Sequence, residues 1–427
     1  MTTRVIAEPL ITSPLTAAPP SRPATRPLVV RRLAVTRFRN YAAADLTLDT
    51  AAVVLTGPNG SGKTNLLEAV SFLIPGRGLR RAKLSEIDRI APPDEAPATD
   101  AFGQAWTVTA TVDGKRGEAQ IGTGRDPEVG SERRLVRIDG APARSQASLA
   151  EHVTVSWLTP AMDRLFMDSP AGRRRFLDRL VYAFDPEHAS RVNTYEHAWR
   201  ERNRLIKDGR GRDRANAAWF EALEETLVTA GVAIAAARAA LVSRLNRICT
   251  AMEAPFPVAA LTLDGAVDRW LEEAPALEVE DRVRVTLSTS RGPGTSDETE
   301  GPHRSDLVVS HVSKAMPAAR CSTGEQKALL IGVVLAHARL QAADEGTAPI
   351  LLLDEVAAHL DDRRRAALFD AVLTLGGQAW LTGTDQSVFA PIADRAQIVQ
   401  VTDGRLNPDR TPGSTTLSSE NRLPADP

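Results

Sequence analysis

The chain has 427 residues, with 52 Lys and Arg set against 54 Asp and Glu for a formal net charge of -2. That balance excludes a uniformly basic coat protein, so any nucleic-acid surface is a local patch. Two distant cysteines, Cys249 and Cys321, make neither a disulfide framework nor a metal site and point to a reducing, cytoplasmic setting.

Residues 1–27 are rich in Pro, Ala and Thr without an apolar h-region, which predicts a disordered leader and not a secretory signal. No window is uninterruptedly apolar over the roughly 20 residues a membrane span needs. From Leu28 the run LVVRRLAVTRF predicts a strand and Asn40 a turn. The alternation at Leu46 and Leu48 and the apolar Val53-Val54-Leu55 predict further strands, the last of them buried. A helical pattern follows from Lys63 through Leu73, and residues 104–140 read as an antiparallel β-meander punctuated by Gly and Asp.

From Ser169 to about Cys249 the composition turns to Ala, Arg, Leu and Glu. Phe220, Leu223, Leu227, Ala230, Ile234, Ala237 and Leu241 recur at a spacing of three and four, the apolar seam of a helix. The seam is short and rich in Ala, which favours a packed helical subdomain over a free coiled coil. LEVEDRVRVTL at 277–287 reads as a strand, residues 290–301 as a Gly/Ser/Thr loop, the stretch after Ser322 as an amphipathic helix, and Ile350–Leu353 as a buried strand. The tail 407–427 reads as disordered.

The strongest chemical signal is Gly57-Pro58-Asn59-Gly60-Ser61-Gly62-Lys63-Thr64, a complete G-x-x-x-x-G-K-T between an apolar strand and a helix. The glycines let backbone N–H groups wrap phosphates, and the helix start adds its partial positive charge. Lys63 is expected on the β- and γ-phosphates and Thr64 on Mg²⁺. Ile350-Leu351-Leu352-Leu353-Asp354-Glu355 delivers two acids to the end of a buried strand. Asp354 is the expected second Mg²⁺ ligand and Glu355 the candidate general base. Lys63 and Asp354 lie 291 residues apart, so something is inserted between the two halves of one ATP site.

Ser322-Thr323-Gly324-Glu325-Gln326-Lys327 opens an apolar helix and resembles the signature of ABC-type ATPases, with Thr-Gly-Glu in place of a double glycine. Ser322 with Glu325 also makes a capping box, and the two readings are compatible. The resemblance implies that Ser322, Gly324 and Gln326 face the γ-phosphate bound on a partner subunit, as helix N-termini favour. Ala358-His359-Leu360-Asp361 resembles the loop that crosses the dimer interface, which adds Asp361 to the nucleotide set. ATP would then glue a head-to-head dimer.

Together with these, Phe38-Arg39-Asn40-Tyr41, Asn65-Leu66-Leu67-Glu68-Ala69, Gly76-Arg77, Ser169-Pro170, Arg174-Arg175-Phe176-Leu177-Asp178 and Gly301-Pro302-His303-Arg304-Ser305-Asp306-Leu307 resemble the RecF family of bacterial DNA replication and repair ATPases, in family order from about Leu28 to Val401. The fold class implied is α/β: a P-loop ABC-type ATPase head, a mixed sheet with an antiparallel β-subdomain, carrying an inserted, mostly α-helical domain. The expected division is head at 28–165, helical domain at 166–275 and head again at 276–406. The resemblance further implies ATP-dependent homodimerisation, slow DNA-stimulated hydrolysis, and recombinational gap repair, replication restart and SOS induction with the RecR and RecO proteins. The crossing loop departs from the family's usual Ser-Glu-Leu-Asp, and Glu355 stands where Asp is frequent.

For DNA, single-stranded, gapped or duplex, the candidates are Arg77, Arg80 and Arg81 with Lys83, and Arg174 and Arg175 with Arg173. Such groups hold phosphates without reading sequence; equally, arginine runs are solvated helix faces or intramolecular ties. His303 and Arg304 either face nucleotide across the dimer or tie their loop down. The competing functions are an SMC-like chromosome-structure ATPase and an ATP-gated clamp with negligible hydrolysis. The former needs several hundred residues of heptads, and the helical stretch here is under about a hundred.

Overall fold

A computed structural model describes residues 27–90, 105–128, 131–209, 217–252, 255–291 and 299–408. Residues 1–26 of the expected leader, 409–427 of the expected tail and most of the 290–301 loop lie outside the described residues, while Asn407 and Pro408, placed in the tail, close the last strand. Three sheets organise the described residues. In the first, strands β1 (Val29–Phe38), β2 (Tyr41–Thr47), β4 (Thr107–Gly114), β5 (Gly117–Arg125), β6 (Arg134–Ile138) and β7 (Ala141–Pro142) run in the order β2-β1-β4-β5-β6-β7, all antiparallel. The second has the order β15-β14-β3-β13-β12-β8, from β3 (Ala52–Thr56), β8 (Val155–Leu158), β12 (Ile350–Leu353), β13 (Ala379–Gly383), β14 (Ala396–Thr402) and β15 (Arg405–Pro408). Every pairing in it is parallel except β14 with β15.

The continuous apolar runs of the second sheet follow from burial on both faces, because successive side chains point to opposite sides. Val53, Leu55, Ile350, Leu352 and Trp380 join the core shared with the antiparallel sheet and helix α1 (Lys63–Ser71). Their neighbours Ala52, Val54, Leu351, Leu353 and Leu381 pack on the other face against α7 (Thr323–Glu345) and α8 (Asp362–Thr374).

Between β8 and the last strands come α2 (Pro170–Tyr182), α3 (His188–Lys207), α4 (Ala217–Thr250), α5 (Ala266–Glu273) and α6 (Ala276–Thr289). A small antiparallel sheet, β11-β10-β9, joins them from Ala259–Asp264 (β9), Asp306–His311 (β10) and Met316–Pro317 (β11). The predicted seam lies within α4, with Phe220, Leu227, Ile234 and Leu241 buried. Among the described helices, α4 alone is long and apolar enough to cross a bilayer by length and composition. It instead buries Glu224 and Arg238 in ion pairs, as the core helix of a packed domain does.

The predicted strand at 277–287 is corrected: it is α6. Val279, Val283 and Leu287 are buried at every fourth position and pack with Val228 and Val232 of α4, leaving Leu277 and Val285 exposed. Packing overrides the β-propensity of the valines here, and Pro275 directly before the helix was the available signal. Helix α7 is also less amphipathic than expected, being buried without a break from Gln326 to Ala338.

Candidate functional site

Three parallel strands, β3, β13 and β12, end side by side, and the chain turns away from each at the same edge, where α/β sheets place their ligands. The loop after β3 needs its glycines. Gly57, Gly60 and Gly62 have φ of 145, 80 and 117. A Cβ on Gly57 would meet the carbonyl oxygen of Val401 at 2.1 Å, and one on Gly62 the hydroxyl of Tyr41 at 2.6 Å. Gly62 caps α1, and no side chain caps that terminus, so the helix's first N–H groups remain for an anion.

Lys63 is buried, and its Nζ donates to the carbonyl oxygens of Gly57 and Pro58, both at 2.8 Å. Burial lowers its pKa, and the nearby Glu355 and Asp354 carboxylates work the other way. Thr64 Oγ1 donates to Asp354, 2.9 Å from Oδ1 and 3.0 Å from Oδ2. Octahedral Mg²⁺ at about 2.1 Å places adjacent ligand oxygens about 3.0 Å apart, the separation these oxygens already have, so the pair fits the metal. Thr382, at the end of β13, was not anticipated as a site residue. Its hydroxyl donates to Asp354 Oδ1 at 2.8 Å and accepts the Glu355 N–H at 2.8 Å. It thereby steadies Glu355 at the unusual φ of 53. No short stretch of sequence marks Thr382, because only the pairing of β13 with β12 brings it beside Asp354.

The signature residues are not joined to this cluster by any hydrogen bond or ion pair among the described residues. Ser322 and Gly324 are exposed at the start of α7. The Ser322 N–H and hydroxyl both donate to Glu325 Oε2, at 3.1 and 3.0 Å. Glu325 also binds Lys314, and these contacts, Lys314 first, lower its pKa to about 2. Gln326 is buried, with its amide on the Cys321 carbonyl at 2.9 Å. Asp361 caps α8, accepting the Arg364 N–H at 2.8 Å.

Of the basic candidates, Arg77, Arg81, Lys83 and Arg175 are exposed. Arg77, Arg81 and Arg175 make no hydrogen bond or ion pair among the described residues. Arg80 binds Glu68 and Asn65. Arg173 pairs bidentately with Asp306 at 2.7 Å, and Arg174 donates to the Ser305 carbonyl at 2.9 Å. The loop carrying Arg77, Arg80 and Arg81 is anchored by Arg134, whose guanidinium binds the carbonyls of Phe72, Ile74 and Gly76. Burial lowers the Arg134 pKa to about 9, which leaves it charged at neutral pH.

His303 sits against Tyr195 and Trp199, with Nδ1 2.6 Å from the Tyr195 hydroxyl and its ring 4.1 Å from Trp199, which supports a tethering role within the chain. Burial lowers its pKa from 6.5 to about 4, and burial does the same to His337. Both are neutral when folded, and the unfolded chain takes up their protons first. Their contribution is therefore complete above about pH 6.5 and is lost as pH falls toward 4, by up to about 1.4 kcal/mol per pH unit for each. Urea unfolding followed across this window is expected to lose stability steeply, and a His303→Gln, His337→Gln double variant to lose it less. Equal slopes would assign the acid sensitivity elsewhere.

Phosphate loop, acidic strand end and detached signature define an ABC-type nucleotide-binding head with a helical insertion. The RecF/RecN/SMC N-terminal domain family matches residues 29–406. Proteins described as DNA replication and repair protein RecF from Rhizobium etli and Agrobacterium fabrum are 50% and 48% identical to it. The first alignment covers 88% of this chain and 97% of the relative, the second 90% and 99%. The chain belongs to the RecF family. Among solved structures, the recombination mediator protein RecF-ATPrS in the RecFOR pathway matches with a TM-score of 0.76 at 21% identity, over 90% of this chain and 99% of that one. The Smc head domain of Pyrococcus furiosus matches at 0.51 and 16%, over 90% and 96%. These last two likenesses concern the fold.

Proposed function

We propose that this chain is an ATP-dependent, DNA-binding recombination mediator of the cytoplasm, acting in DNA repair and replication restart alongside RecO and RecR. The observation that carries the reading is the meeting of Thr64 and Asp354 beneath Lys63, 290 residues apart in sequence yet 2.9 Å apart in space. Gly57 to Thr64 cradle the phosphates, with Lys63 leaving its two carbonyls for the phosphate oxygens. Thr64 and Asp354 would hold Mg²⁺, which supplies charge neutralisation at the β- and γ-phosphates. Glu355 takes the proton of the attacking water. Ser322 and Gly324, at the exposed N-terminus of α7 that Glu325 caps, meet the γ-phosphate held by a second copy, with Gln326 bracing that terminus from below and Asp361 on the crossing loop.

On this reading each protomer holds half of two sites, and ATP stabilises only the dimer. Turnover is slow and rises with DNA. Arg77, Arg80, Arg81 and Arg175 hold the DNA backbone, and Arg174 braces them from within. Among the described residues the longest helix of the insert has 34 residues, too short for the arm of a chromosome-structure ATPase. Light scattering is expected to give a monomer alone, a dimer with ATP and Mg²⁺, and a monomer under both conditions for Lys63→Ala. ATP binding without a change of mass would overturn the composite site.

A further inference from the structure

An unbroken chain of side-chain contacts runs from the exposed basic loop to the phosphate loop. Arg80 Nη1 donates to Asn65 Oδ1 at 2.7 Å and to Glu68 Oε2 at 2.9 Å. Asn65 Nδ2 donates to Asn40 Oδ1 at 2.7 Å, and Asn40 Nδ2 donates to the Ser61 carbonyl at 2.9 Å. Each amide has a fixed orientation, since flipping either would set like groups face to face. The last link is tight: a Cβ on Gly62 would lie 2.7 Å from Asn40 Nδ2 and 2.9 Å from its Oδ1. A shift of Asn40 is therefore felt by the peptide that leads into Lys63.

The outer end of the chain is short of negative charge. Glu68 is fully buried and shared between Arg39, at 2.8 and 2.7 Å, and Arg80. One carboxylate thus faces two guanidinium groups. The Arg80 side chain is 40% exposed, its Nε and Nη2 carry no hydrogen bond among the described residues, and the exposed Arg77 and Arg81 stand on the same loop. An anion from solvent would supply the second charge, and a loop of exposed arginines without aromatic partners suits a phosphodiester backbone.

We propose that Asn65 and Asn40 are positioning residues that transmit occupancy of Arg80 by a nucleic-acid phosphate to the phosphate loop. A phosphate drawing Arg80 outward removes the donor from Asn65 Oδ1, leaves the Asn65 amide free to rotate and Asn40 to shift with it, and lets the Ser61–Gly62 peptide settle around bound nucleotide. The Ser61 carbonyl keeps the Gly404 N–H, at 3.1 Å, so the loop adjusts without coming apart. The inference rests on the reading that this site turns over ATP and that this loop meets DNA.

The test compares ATP turnover with and without a short duplex oligonucleotide, together with duplex affinity by fluorescence anisotropy, for the wild type, Asn65→Ala, Asn40→Ala and the double variant. In Asn65→Ala the duplex is expected to bind as in the wild type, while the ratio of turnover with DNA to turnover without falls to about one, the value for uncoupled sites. The double variant is expected to show the same ratio as either single one, as members of one path do. A merely structural role would lower both turnover figures together and preserve the ratio. A stimulated wild type with an equally stimulated Asn65→Ala overturns the relay alone. A wild type indifferent to DNA overturns the relay and the DNA-stimulated reading together.

Discussion

Replacing Glu355 by Gln is expected to slow ATP turnover by roughly 10²- to 10⁴-fold, the usual worth of a positioned general base, while nucleotide binding survives. The structure argues for so local an effect. The Glu355 backbone is held by its N–H on the Thr382 hydroxyl, and the same hydroxyl is tied to Asp354. Neither contact uses the side chain of Glu355, so the amide takes its place in a shape that is already set. What disappears is the capacity to accept a proton. Because ATP contacts both subunits in the proposed dimer, slow hydrolysis is also expected to give the longest-lived dimer, read by light scattering over time. Single-turnover rates close to the wild type would assign the base to another residue.

The second large effect is on stability. Asp178→Ala is expected to cost about 3–5 kcal/mol, the range for breaking a buried ion pair on one side. Asp178 binds Arg238 bidentately at 2.8 and 2.9 Å and His188 Nε2 at 2.9 Å, and all three side chains are buried. Burial works against the ionised carboxyl, yet the His188 and Arg238 hydrogen bonds hold its pKa below the ordinary value. Arg238 goes on to the Pro302 carbonyl at 2.6 Å, so α2, α3, α4 and the loop before β10 meet on one carboxylate. Removing it strands a guanidinium in the core. Urea denaturation measures the loss, and the companion Asp178→Ala, Arg238→Met variant is expected to recover much of it, because no charge is then left unpaired. A single variant as stable as the wild type would mean that water reaches Arg238.

The parts of this molecule legible in its sequence are those whose cause is local. The phosphate loop is written in eight consecutive residues, the meander in Gly and Asp punctuation, and α4 in the spacing of Phe220, Leu227, Ile234 and Leu241. Asp354 and Glu355 were legible because the apolar run before them has no other use than a buried strand. Helix α6 was misread because Val279 and Val283 are strand-prone residues whose stripe becomes visible only once α4 lies beneath it. Thr382, Asn40 and Asn65 escaped assignment as site residues for another reason. Each is an ordinary polar residue until folding sets it against Asp354, Ser61 or Arg80, and nothing in a short window shows that. The pairing of Asp178 with Arg238 is likewise a fact of tertiary structure, as is the finding that Arg173 and Arg174 are occupied within the chain.

Strand β3 lies between β13 and β14, and the strands on either side of it both come from the far end of the chain. During synthesis the segment Ala52–Thr56 therefore leaves the ribosome with both hydrogen-bonding edges open, and it waits for nearly the whole chain before either is covered. A chain interrupted between Thr64 and Ala379 has its phosphate loop written out but lacks both neighbours of the strand that carries it. Late truncation is therefore expected to leave both edges of β3 exposed as well as to remove the site.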